Sequence, residues 1–211
     1  MNSLSLGQAV AVVFSLPTSP FTPLAVGFFG LGTGYLIYGP QELLGFPPRD
    51  EGVDYSTGVW GIWMPGFMQF LTGIFLFGGL SLFDTFRSPA LYMAALAFTA
   101  YGVHWFAIGW NRMHRGDPRV NVGMAIAFLL ISILGIIVFF NSQDHPVGGL
   151  FIGLTCVYAA ELVASFKPVR PGIGTQGERA LGFFHILVGF YLIYLTFAVV
   201  LNTTLNYALP V

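Results

Sequence analysis

The stretch "PALYMAALAFTAYGVHWFAIGW", residues 89–110, contains no aspartate, glutamate, lysine or arginine. At about 1.5 Å per residue, a helix of this length crosses the roughly 30 Å hydrocarbon core of a bilayer. The run therefore reads as a transmembrane helix. Five more of the same kind accompany it, over residues 22–40, 58–83, 120–141, 147–167 and 179–203. Nearly all the charged residues fall in the connectors, together with breakers such as Pro47, Pro48, Pro118, Pro146 and Pro168. The expected fold is all-α: a polytopic membrane protein whose six transmembrane helices form one compact bundle, a single domain over residues 1–211.

Composition agrees with the spans. Of 211 residues 55% are hydrophobic and 8% charged, with a mean hydropathy of +0.76, whereas a soluble domain is about 25% charged. A net charge of −1 and the lack of a glycine-rich phosphate loop argue against a nucleic-acid partner or nucleotide chemistry. Cys156 is the sole cysteine, so no intrachain disulfide framework or cysteine metal cluster is available. No nucleophile–base triad or metal-ligand motif is visible, and neither an enzyme nor a cofactor is expected. Ahead of the first span, residues 1–20 read as a short interfacial segment, with residues 3–16 either helical or without regular structure. The first basic residue is Arg49, so this segment lacks the positive start of a secretory signal.

Basic residues favour one side. The first, third and fifth connectors carry Arg49, then Arg112, Arg115 and Arg119, then Lys167, Arg170 and Arg179, while the opposite side holds only Arg87. The positive-inside rule puts the termini outside.

Small residues suggest close helix packing. Gly30 and Gly34, and Gly149 and Gly153, have the four-residue spacing that lets backbones approach. Pro65, followed by Gly66, should kink or unwind the second span, and freed carbonyls there are able to line a cavity.

A short polar inventory remains within the spans: Gln69, Tyr101, His104, Glu161 and His185. Ionisable groups at membrane depth cost about 2.5–3.5 kcal/mol and usually face the bundle interior or a water path. Tyr101, His104 and Trp105 share one face of the third helix, and Leu154, Tyr158 and Glu161 one face of the fifth. Should those faces meet, His104 and Glu161 form a proton-accepting pair beside a ring of aromatic and aliphatic side chains. The alternatives are structural: each histidine bonded to a neighbouring carbonyl, Glu161 reaching towards an interface near Lys167, Gln69 in an interhelical hydrogen bond. Trp60, Trp63 and Trp110 read as interface anchors.

Four stretches resemble the acetate uptake transporters, a family of bacterial acetate/succinate permeases and fungal acetate- and ammonia-associated proteins. These are "SPFTPLAVGFFGLGTG" from Ser19, "GIWMPGFMQFLTGIFLF" from Gly61, "TAYGVHW" from Thr99 and "LIYLTFAVVLN" from Leu192. The resemblance implies a six-helix bundle assembled as a homo-hexamer in the cell membrane, passing a small organic anion through a hydrophobic constriction in each protomer. It places that constriction on Phe29, Tyr101 and Leu154, leaves His104, Glu161 and Gln69 as polar-path or proton-relay candidates, and gives Pro23 a structural role at the entry to helix one. The chain departs from the family pattern in having His104 at an aromatic position, Phe-Thr for Pro-Ala in the entry motif, and Val199 where an acid is familiar. The family also expects cytoplasmic termini, opposite to the charge count. Two other classes fit less of the sequence: a b-type haem carrier ligated by His104 and His185, and a non-transporting subunit of a membrane complex.

Overall fold

The computed structural model describes residues 23–211. The interfacial segment expected over residues 1–20 lies outside them. The described chain forms six long helices: α1 (Leu24–Leu44), α2 (Glu51–Ser81), α3 (Ala90–His114), α4 (Asn121–Asn141), α5 (His145–Ala164) and α6 (Pro171–Leu205). Five of these, α2 to α6, are long and apolar enough to cross a membrane. The chain is an integral, multi-pass membrane protein. Helix α1 is as long as α4 but less hydropathic, because five glycines, Tyr35, Tyr38, Pro40 and Gln41 dilute its aliphatic residues.

Local signals set the helix ends. Gly45 takes a left-handed φ of 70° after α1, and its N–H donates to the Gln41 carbonyl at 3.0 Å. Asp50 caps α2 by accepting the Val53 N–H at 2.8 Å, with Glu51 and Asp54 in the favoured acidic first turn. Asp144 caps α5 by accepting the Val147 N–H at 3.1 Å; partial burial pushes its carboxyl pKa up from the ordinary range. Helices α2 and α6 begin several residues before the apolar runs. Hydropathy marks only the part of a helix that meets lipid, and these polar first turns lie beyond it.

The helices stand in a ring in chain order, α1 closing onto α6 and α2, with each neighbouring pair in contact. The α2–α3 and α1–α6 contacts are the most extensive and the α3–α4 seam the loosest. Side chains stitch that seam. Ser132 donates its hydroxyl to the Phe128 carbonyl at 2.8 Å, so Tyr101 is left to donate to Ser132 Oγ, 3.1 Å away. Outward faces are apolar throughout, most completely on α4. Trp60, Trp63 and Trp110 all lie on this outer surface.

Helix α2 changes character midway. Residues Ile62–Phe67, containing Pro65, form a π-helical turn between two α-helical parts. The buried stripe steps by four through Gly61, Pro65 and Gln69 across the wide turn, then continues through Thr72, Leu76 and Gly79. Proline removes one N–H and the π turn accommodates its ring, so the expected distortion is a widened turn that keeps Gln69 inward.

Helix α1 packs on that turn through Gly30 and Gly34. A Cβ on Gly30 would lie 2.5 Å from the Met64 carbonyl oxygen, and one on Gly34 would lie 2.6 Å from Pro65 Cγ. Pro23 ends the approach to α1, its carbonyl accepting from Val26 N–H at 3.0 Å and from Thr72 Oγ1 at 3.4 Å. Gly153 is similarly tight, 2.7 Å from Val188 Cγ2, but Gly149 is not: its nearest neighbour is the Tyr191 hydroxyl at 3.6 Å. The expected Gly149/Gly153 contact pair is thus corrected to Gly153 alone; four-residue spacing puts two glycines on one side of a helix without bringing a backbone to both. Gly30→Leu should overpack the α1–α2 contact and cost about 1–3 kcal/mol, whereas Gly149→Ala should be stabilising by about 0.5–1 kcal/mol. Thermal unfolding in detergent checks both.

Candidate functional site: two chambers and the neck between them

The ring encloses two chambers at opposite ends. One, about 330 Å³, opens between the basic connectors, with Arg49, Lys167 and Glu178 at its rim and Tyr35, His104 and Glu161 deeper in. The other, about 90 Å³, opens between the connectors on the side of the termini, near Ser88 and Asp144. Among the described residues, none lines both. Their walls are offset by one helical turn on three helices: Leu31 against Tyr35 on α1, Tyr101 against His104 and Trp105 on α3, and Leu154 against Val157 and Tyr158 on α5.

That turn is the neck. Tyr101 and Tyr158 stack with ring centroids 5.6 Å apart, and Phe128 of α4 packs on both at 5.3 and 5.4 Å. His104 lies 4.6 Å from the Phe128 ring, and its Nδ1 is 3.5 Å from Tyr158 Oη. The sequence-predicted faces of α3 and α5 therefore meet, through side chains. His104 and Glu161 do not bond to each other; they line the same chamber.

The placement of each predicted neck residue follows. Tyr101 and Leu154 are each 2% exposed and line the smaller chamber. Phe29 does not join them. It is 44% exposed on the outer face of α1, while Phe28, 3% exposed, turns inward and packs against Phe98 at 5.6 Å. The correction follows from helix geometry: adjacent residues point about 100° apart, and "GFFG" offers two phenylalanines to one inward position.

The larger chamber is rich in groups able to hold or move protons. His185 Nδ1–H donates to Glu42 Oε2 at 2.5 Å, tying α6 to α1 with both side chains nearly buried. The expectation that His185 bonds a carbonyl is corrected to a carboxylate. Tyr35 covers the imidazole, 4.3 Å between centroids. Three buried polar atoms of residues lining this chamber have no partner among the described residues: Tyr35 Oη, His104 Nε2 and Trp105 Nε1. A Trp N–H only donates and a tyrosine hydroxyl readily does, so the wall presents unfilled donors. Beyond the histidine, Arg112 sits 4.3 Å over the Tyr38 ring, donates to Thr57 Oγ1 at 3.1 Å and approaches Asp54 at 3.9 Å. Arg49 also grips Asp54, with two bonds of 3.0 Å.

The smaller chamber is mostly apolar, with Ser88 and Asp144 at its mouth and the Tyr101 hydroxyl turned to Ser132. Gln69 is also in its wall: 0% exposed, with neither Oε1 nor Nε2 hydrogen-bonded among the described residues. Among the described residues, the interhelical hydrogen bond expected of Gln69 is absent, in a chamber whose walls are mostly apolar.

Glu42 is the residue that sequence reasoning missed. Pro40 reads as the end of the first span, but α1 runs through it to Leu44 and carries Glu42 under the bundle. The usable signal was an acid at helical spacing from Tyr35 and Tyr38, since residues 35, 38 and 42 lie on one face.

The arrangement of six ringed helices around opposed chambers has a counterpart among solved structures. The chain is similar to the bacterial acetate channel SatP, with a TM-score of 0.67, 18% identity, and coverage of 90% of this chain and 98% of that one. It has the fold of that membrane channel. No family model matches the chain. No curated protein matches it.

Proposed function

We propose that the chain is a membrane channel or proton-coupled permease for acetate or another small mono- or dicarboxylate. The observation carrying this reading is the pair of chambers at opposite ends of one helix ring, separated by a single turn of aromatic and aliphatic side chains. The fold shared with an acetate channel supports it.

Arg49 and Lys167 stand at the mouth of the larger chamber, beside the acidic Glu178. Inside, the free donors of Tyr35 and Trp105 replace part of a carboxylate's hydration shell. The neck is the obstacle, since stripping the remaining water from a carboxylate costs several kcal/mol. A proton delivered there removes most of that cost. His104 and Glu161, with the Glu42–His185 pair behind them, are the groups placed to supply it. Tyr101 and Leu154, with Phe28 in the role first expected of Phe29, keep the far side of the neck dry. Phe29 on the outer face belongs to the surface available for assembly, here taken to be a homo-hexamer in the cell membrane.

The test is uptake of radiolabelled acetate into proteoliposomes, with and without an imposed pH gradient, read as the excess over protein-free vesicles. Saturable excess uptake is expected. An excess driven above equilibrium by the gradient identifies coupling, and one that stops at equilibrium identifies a channel. Uptake indistinguishable from protein-free vesicles would leave the non-transporting subunit as the better reading.

A further inference from the structure

We propose that the smaller chamber binds its ligand in the neutral form, pairing a protonated carboxylic acid or a primary amide with the Gln69 side chain. This rests on the transport reading above and adds the class of molecule that the chamber accepts.

The argument begins with charge. The residues lining this chamber include no lysine, arginine or histidine, and its one ionisable carboxyl, Asp144, is acidic and sits at the mouth. An anion inside would have no counter-charge among them. The Tyr101 hydroxyl is not free to help, being directed at Ser132 Oγ, 3.1 Å away. The larger chamber, by contrast, is lined by ionisable groups of both signs, Arg49, Lys167 and two histidines together with Glu42, Glu161 and Glu178. Among the described residues, cationic groups line that chamber and not the smaller one.

Gln69 then specifies what fits. Its carboxamide keeps an acceptor, Oε1, and a donor, Nε2–H, side by side and both unpartnered at full burial. Leaving such a group unmade costs about 1–3 kcal/mol, a cost that a bound ligand removes. A carboxylic acid matches the pair: its O–H donates to Oε1 while its carbonyl accepts from Nε2–H. A primary amide matches equally well. A carboxylate does not, because it only accepts, and one of its oxygens would face Oε1 lone pair to lone pair. Apolar walls from Leu24, Phe28 and Leu31 and a volume of about 90 Å³ suit a chain of one or two carbons.

Acetamide is the discriminating probe, being neutral at every usable pH. Its permeation is followed by stopped-flow light scattering of proteoliposomes, and its competition by inhibition of labelled acetate uptake. Wild type should pass acetamide faster than protein-free vesicles, and acetamide should inhibit acetate uptake. Gln69→Met, close in shape without the paired groups, should lower both fluxes about tenfold or more with no fall in melting temperature. Gln69→Glu should retain acetate flux in acidic medium, where a protonated side chain again offers donor and acceptor, and lose it near neutrality. The inference is overturned if acetamide neither crosses nor competes while acetate does, or if Gln69→Met keeps both fluxes. Acetamide flux without acetate flux would uphold this inference and sink the carboxylate reading; absence of both would sink the two together.

Discussion

A His185→Ala variant should unfold with a loss of about 3–5 kcal/mol, the range seen when one partner of a buried ion pair is removed. The bond from His185 to Glu42 spans 2.5 Å between two nearly buried side chains and joins α1 to α6, one of the broad contacts in the ring. Alanine would leave the Glu42 carboxylate without its donor and open a void beneath the Tyr35 ring, which now stacks on the imidazole at 4.3 Å. Glu42→Gln should be far milder, about 1 kcal/mol, because its amide oxygen still accepts from Nδ1. A Glu42→Leu/His185→Leu double variant should recover most of the single-mutant loss, since a well-packed apolar pair often replaces a buried polar one at little cost. Thermal melts in detergent decide. If His185→Ala melts with the wild type, the pair does not hold the two helices together.

The second large effect concerns the neck. Tyr101→Ala removes the ring that stacks on Tyr158 and Phe128 and separates the chambers. Acetate uptake should rise several-fold and size selection should fail: the wild type should exclude benzoate and the variant should admit it. Ser132 keeps its bond to the Phe128 carbonyl at 2.8 Å, so no buried hydroxyl is stranded. The stability cost should be that of an aromatic core truncation, about 3–5 kcal/mol. Tyr101→Phe keeps the ring and should retain selection. Uptake of acetate and benzoate in parallel proteoliposomes reads the result; an Ala variant that still excludes benzoate would place the barrier elsewhere.

Much of the fold was legible in sequence because a bilayer constrains it so strongly. Residues 89–110 announce a span by lacking charge, and the π turn at Pro65 was foreshadowed by a proline within an apolar run. Tyr101, His104 and Trp105 were correctly read as one face, and so were Leu154, Tyr158 and Glu161, since helical spacing alone decides that. Phe29 failed for a related reason: amphipathic contrast is weak in lipid, where the outward face is as apolar as the inward one, so nothing local distinguishes it from Phe28. Gln69 was seen as polar, but that its amide would find no partner among the described residues depends on what the other helices place around it.

By itself, the sequence determined that this chain lies in a membrane, how many long helices its described residues form, and which connectors carry the basic residues, because each follows from the free energy of placing single side chains in hydrocarbon or water. Only the tertiary structure decided which helix faces meet, that Glu42 reaches His185 across 143 positions, and that two chambers stop one turn short of each other. Those are pairwise and higher-order contacts between distant segments, and no property of a residue in its own helix contains them.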